Sequence, residues 1–126
     1  MRAPDNKKQT TLGYRLMVVD DNNIARAVLI RQLQAAGYQV EGASTGPEAL
    51  IALLKVRVHL ILLDFVMQPL SGLEVLQRIR AIYPPNRLPV VMMSATQDAD
   101  LVFRATQLGA NDFFFGPFNS RNCCTR

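Results

Sequence analysis

Cysteine is scarce in this chain of 126 residues, and its two copies, Cys123 and Cys124, are neighbours. Adjacent cysteines build no disulfide framework and lack the spacing of a zinc site, so they read as two small side chains near the end of the chain. No apolar run is long enough to span a bilayer. The opening stretch "MRAPDNKKQTT" lacks the apolar core of a signal peptide, so the expectation is a cytoplasmic protein with no membrane partner. Glycine-rich phosphate loops of the G-x-G-x-x-G and G-x-x-x-x-G-K-[ST] types are missing as well, which leaves a dinucleotide or nucleoside triphosphate site without support.

A basic face is also missing, despite a formal net charge of +4. Of the 14 basic and ten acidic residues, six basic and one acidic lie in 1–15 and 119–126, leaving eight basic and nine acidic in 16–118. Nucleic-acid binding needs basic residues gathered on one folded surface. Here the excess sits at the two ends, and no nucleic-acid partner is expected. Residues 1–13, rich in Lys, Asn, Gln and Thr, read as a mobile tail. Residues 14–126 read as a single domain, since a chain of this length supports one core and not two.

What the chain does have is regular alternation. "RLMVVDD" is a short apolar run stopped by two carboxylates. A helical pattern follows, with Ala25, Val28, Leu29, Leu33 and Ala36 on one face and Gly37 as its stop. "YQVEGA" is a weaker strand. "STGPEALIALLK" opens with capping residues and puts Pro47 in a first turn, where a missing N–H costs nothing. "HLILLD" is a strand ending on Asp64, and Val75, Leu76, Ile79 and Ile82 then mark a helix over 72–83. "LPVVMMSA" is a fourth strand, 98–109 a fourth helix with Leu101, Val102, Ala105 and Leu108 along one face, and "FFF" a fifth strand. Apolar runs alternating with amphipathic helices predict an α/β protein, a parallel sheet between helices.

In open α/β sheets the sites form beyond the carboxyl ends of the strands. Strand one ends in Asp20 and Asp21, strand three in Asp64, and strand four in Ser94 and Ala95. Three carboxylates at neighbouring strand ends repel one another, and each would have its pKa raised. A hard divalent cation such as Mg²⁺, which takes oxygen ligands, relieves the repulsion. Asp20 and Asp21 could instead cap the first helix. With two carboxylate-ended strands rather than one, a metal site is the better reading.

"VVDDNNIAR", "LILLDFVMQPLSG", "VVMMSA" and "GANDFFFGPF" resemble, in order and spacing, the motifs of response-regulator receiver domains, over roughly residues 15–118. The resemblance implies a flavodoxin-like (βα)5 fold, a doubly wound parallel five-stranded sheet in the order 2-1-3-4-5. It implies two-component signalling, in which an aspartate accepts a phosphoryl group from the phosphohistidine of a histidine kinase or histidine phosphotransfer protein. Asp64 would be that acceptor. Asp21 would bind Mg²⁺ directly and Asp20 through water, with the backbone carbonyl of Val66 as a further ligand. The Ser94 hydroxyl and the Ala95 N–H would bind phosphoryl oxygens, and Phe113 would be the aromatic that reports phosphorylation by changing rotamer. Such a domain is a phosphoacceptor that promotes its own phosphorylation and dephosphorylation rather than an enzyme. Gly72 fits the family's spacing from Asp64, while Pro69 stands one place later than usual.

The departure is Gly116. The family places a lysine immediately before the Pro-Phe, where its ammonium pairs with the acceptor carboxylate and then with the phosphoryl group. Losing one electrostatic stabiliser from such a site costs about 10²–10³ in rate, so transfer is expected to be slow. An alternative is a degenerate receiver that binds partners without phosphorylation. Glycine also suits a tight turn, and the Gly116–Pro117 bond is a candidate for cis. After Pro117-Phe118 the sequence gives about two turns of the family's fifth helix, so that helix is expected to be truncated. The strand residues it would shield, alternate positions of 16–19 and 113–115, should then meet water and offer a homodimer face. A phosphatase of the haloacid-dehalogenase type would need a second aspartate where Val66 stands, and a flavin binder would need phosphate loops.

Overall fold

The computed structural model describes residues 13–95 and 97–115. Five strands form one parallel sheet: β1 (Arg15–Val19), β2 (Gln39–Ala43), β3 (Leu60–Asp64), β4 (Val90–Ser94) and β5 (Asp112–Phe115), in the order β2-β1-β3-β4-β5. Four helices connect them: α1 (Asn23–Ala35), α2 (Gly46–Lys55), α3 (Gly72–Arg80) and α4 (Ala99–Leu108). This is the order and doubly wound arrangement the sequence motifs imply. Residues 116–126, which hold Gly116, Pro117 and the expected helix stub, lie outside the described residues, as does the tail expected over 1–12.

Each helix starts where the sequence supplies an acceptor for its unpaired N–H groups. The Asn22 side chain accepts from the Ala25 N–H, Thr45 from Glu48, Ser71 from Glu74, and Asp98 from Asp100 and Leu101. Ser71 and Glu74 complete a reciprocal capping box. The cap of α1 is therefore Asn22 and not Asp20 or Asp21, which leaves both carboxylates available to the sheet edge. At the other end of α4, Gly109 closes the helix with φ +102°, a conformation a side chain would strain.

The main core lies between the sheet and the layer α2–α3–α4. Met17, Val19, Ile61, Leu63, Val90 and Met92 project from alternate strand positions onto Ala49, Leu53, Val75, Leu76, Ile79 and Ala105. Ile82, counted with this stripe from its spacing, lies beyond the end of α3 and is 63% exposed. The helix stops at Arg80, so the periodicity that would have turned Ile82 inward is broken.

The opposite face carries α1, whose Ile30 and Arg26 side chains lie over Gly42 of β2. None of its residues is fully buried: Ala25, Leu29 and Leu33 are half-covered, and Val28 and Ala36 are exposed. Beneath it, the expectation that alternate residues of 16–19 meet water is overturned. Leu16, Met17, Val18 and Val19 are all buried, because β1 sits between β2 and β3 with helices on both sides. On β5, Phe114 is 42% exposed, while its neighbour Met93 on β4 is buried. The helix stub, on which the dimer expectation also rests, lies outside the described residues.

One side chain ties the amino-terminal edge of the sheet together. The Arg80 guanidinium donates to the carbonyls of Gly109 (2.8 Å), Tyr83 (3.0 Å) and Leu88 (2.9 Å) and to Asn111 Oδ1 (2.7 Å). Asn111 Oδ1 also accepts the Val90 N–H at 2.9 Å. Partial burial draws the Arg80 pKa below its usual value, yet four oxygen acceptors satisfy the cation in place.

Candidate phosphoacceptor and metal site

The carboxyl ends of β1 and β3 are adjacent in the sheet, with Val19 level with Leu63. The next residues, Asp20 and Asp64, therefore emerge side by side, with Asp21 one step on. One carboxylate oxygen from each of Asp20, Asp21 and Asp64 lies within 4.8 Å of the others. Asp20 is buried, Asp64 half-buried and Asp21 exposed, so the cluster grades from the core to the solvent.

Backbone geometry fixes this arrangement. The Asp20 N–H donates to the Ala43 carbonyl (3.1 Å), which extends the β1–β2 ladder past the strand end. Asp20 Oδ1 accepts the Asn22 N–H at 2.9 Å, and its carbonyl accepts from the Arg26 guanidinium at 2.8 Å. On the other strand, the Phe65 N–H donates to Met93 (3.0 Å) and the Gly72 N–H to Phe65 (2.8 Å). Asp64 is held between two ladders of hydrogen bonds.

The electrostatics are those of crowded like charges. Burial, then the neighbouring Asp20 carboxylate, push the Asp64 pKa up to about 7, with a smaller contribution from Asp21. The Val66 N–H, 3.4 Å from Asp64 Oδ1, pulls the other way. An all-oxygen donor set, brought together and disfavouring its own ionisation, fits a hard divalent cation. Asp20, Asp21 and Asp64 are the side chains that would hold it, with Val66 at the same loop.

The other predicted residues border the cluster. Ser94 is buried at the end of β4, next to the end of β3, and Ala95 beyond it is exposed. Phe113, on β5, is half-buried and packs on the main core. Its ring is stacked on that of Phe65 at 6.5 Å and 6° and on that of Phe115 at 6.4 Å and 8°. Gly116 lies outside the described residues. Sequence reasoning missed two participants. Phe65 escaped notice because it reads as one more residue of an apolar run; strand alternation from Leu63 could have placed it on the same face. Arg26 escaped because its role depends on how α1 is set against β1. Its guanidinium donates to the Asp20 carbonyl and to Asn23 Oδ1.

Comparison with known proteins agrees with this geometry. The family model for the response regulator receiver domain matches residues 16–126. The two-component response regulator ORR3 of Oryza sativa subsp. indica is 32% identical over 103 residues, covering 81% of this chain and 79% of its own. A protein of Cyanidium caldarium described as a probable transcriptional regulator, ycf27, is 35% identical over 114 residues; the match takes in 90% of this chain and 45% of the relative's length. Among solved structures, the chemotaxis response regulator CheY4 of Vibrio cholerae superposes with a TM-score of 0.79 at 28% identity, covering 89% of this chain and 93% of its own. A protein described as a probable two-component system response regulator/GGDEF domain protein reaches 0.84 at 28% identity, with 94% of this chain matching 49% of that one. The sheet order, the acidic strand ends and a family match running nearly the length of the sequence converge, and the chain belongs to the response regulator receiver domains of two-component systems.

Proposed function

We propose that Asp64 accepts a phosphoryl group from the phosphohistidine of a histidine kinase or histidine phosphotransfer protein, in a reaction that requires Mg²⁺. The observation that carries this reading is the meeting of the Asp20, Asp21 and Asp64 oxygens at the ends of β1 and β3. An Asp64 carboxylate oxygen attacks phosphorus as the P–N bond to the donor imidazole breaks, and the departing nitrogen keeps the electron pair and takes a proton. Bound Mg²⁺ would keep Asp64 ionised and offset negative charge on the transferring group. The chain's own share is positioning. The ladders on either side of Asp64 fix the nucleophile, Asp21 and the Val66 carbonyl would hold the cation directly and Asp20 through water, and the Ser94 hydroxyl and Ala95 N–H would donate to phosphoryl oxygens. Phe113, stacked on the residue that follows Asp64, is the ring whose packing responds. The product is a modified protein rather than a released compound, so the domain is a signalling acceptor in the cytoplasm that acts through protein contacts. Among the described residues no helix is long and apolar enough to cross a membrane.

Gly116 favours a second reading, a receiver that binds partners without being phosphorylated. Intact-mass spectrometry after incubation with a small-molecule phosphodonor and Mg²⁺ separates the two. The first reading expects a mass increase that disappears in Asp64→Asn and in chelator. A folded protein with no such increase selects the second.

A further inference from the structure

The edge of the sheet opposite the carboxylates carries a different kind of surface. At the amino ends of β3 and β4 a cavity of about 320 Å³ opens to solvent. Leu53, Val58 and Leu88 form its floor, and Lys55, Arg57 and Arg87 stand around it. Its loop wall is set by Arg80, which holds the carbonyls of Tyr83 and Leu88. Through Leu53, Leu54 and Tyr83 the cavity continues into an apolar cleft of about 190 Å³ between α2 and the turn that follows α3, together the α2–α3 groove.

Two features of this groove call for a partner. Ile51, Leu54 and Ile82 border the cleft and are 54%, 75% and 63% exposed. Ile51 and Leu54 are three residues apart and so adjacent on the α2 surface, with Ile82 across from them, and a cluster of large exposed apolar side chains marks an interaction site. The cations are likewise uncompensated. No carboxylate lines either space, and among the described residues the ion pairs are Arg15–Glu41 and Arg104–Asp100, neither involving Lys55, Arg57 or Arg87. Like charges beside a low-dielectric wall focus a positive potential.

We propose that the α2–α3 groove binds an acidic peptide segment of a partner protein, with apolar side chains in the cleft and carboxylates facing Lys55, Arg57 and Arg87. A small anion filling the cavity would leave Ile51 and Ile82 in water, whereas a peptide covers the border as well as the cavity. The groove lies a strand length, roughly 17 Å, from the acidic cluster. Binding there is separate from the reaction at Asp64 and does not rest on it.

Selection of a displayed random 12-residue peptide library on the folded chain tests this. The expected peptides are enriched in Asp and Glu together with Leu, Ile, Phe or Trp. Their affinity should fall at least about tenfold in the double variant Arg57→Glu/Arg87→Glu and in Leu54→Asp, and should weaken in high salt. These side chains are exposed, and circular dichroism confirms that the variants fold. Asp64→Asn and Mg²⁺ should leave binding unchanged. Absence of enrichment, enrichment without acidic residues, or binding that survives both variants overturns the proposal. So does a dimer in sedimentation velocity that the charge reversal dissolves, since the occupant is then a second copy, and so does groove-dependent binding to anionic lipid vesicles without peptide binding.

Discussion

Gly72, the first residue of α3, lies against the backbone of Asp64: a Cβ built there would overlap the Asp64 carbonyl oxygen and lie 2.8 Å from Phe65 Cα. The start of the helix and the end of the strand can come together only because position 72 has no side chain. The N–H of Gly72 also donates to Phe65 at 2.8 Å, so the contact that a methyl group would break is a bonded one.

Gly72→Ala should therefore displace the end of β3. Overpacking of this kind costs about 1–3 kcal/mol, measurable by chemical denaturation. Because the displaced residue is Asp64, Asp64-dependent phosphorylation should fall further than stability alone explains. A variant of native stability and native transfer rate would show that the loop can move aside.

The raised Asp64 pKa makes the metal-free protein sensitive to pH. Between the ordinary value of 3.8 and about 7, folded Asp64 retains a proton that the unfolded chain has released. Unfolding then releases protons, and stability falls as pH rises through that window. Below 3.8 the site contributes nothing, and above about 7 the full penalty is present. Asp64→Asn should be more stable than the parent above pH 7, with the difference vanishing toward pH 4, as read from melting temperatures in chelator.

Mg²⁺ should oppose that penalty. A ligand bound only by the folded state at about ten times its Kd stabilises by about 1.4 kcal/mol. Melting temperature should rise with Mg²⁺, and less so in Asp20→Asn, Asp21→Asn or Asp64→Asn. A parent protein indifferent to Mg²⁺ would argue for the reading without phosphorylation.

Gly116→Lys should restore the cation that the family pattern places before the Pro-Phe. Transfer to Asp64 should accelerate by about 10²–10³, followed by mass spectrometry over time. No acceleration in a folded variant would mean that the position does not reach the acceptor.

The strands and most helix limits were legible because they are written in local chemistry. Asp98 and Gly109 bracket α4 as cap and stop, and Pro47 falls in the first turn of α2. The meeting of the three carboxylates was legible once the sheet order was in hand, because residues that end neighbouring parallel strands emerge side by side. What could not be read depends on contacts between distant segments. Nothing in the periodicity of 72–83 shows that the helix ends before Ile82, nor that Arg80 then gathers carbonyls from two loops. The stacking of Phe65 on Phe113 spans two strand crossings. The full burial of 16–19 follows from the central place of β1, which the sequence motifs imply only through the sheet order.

The partly covered helix α1 has a consequence in time as well as in space. Amides in segments with few buried contacts exchange with solvent through local openings, while those of a sheet centre exchange only when the whole domain unfolds. Deuterium should therefore enter α1 early and β1 last. Asp20 and Asp21 sit on the short link between these two regimes. Two of the three carboxylates thus join the slow strand to the fast helix, and a ligand that draws them toward Asp64 should slow exchange along α1 without touching the helix itself.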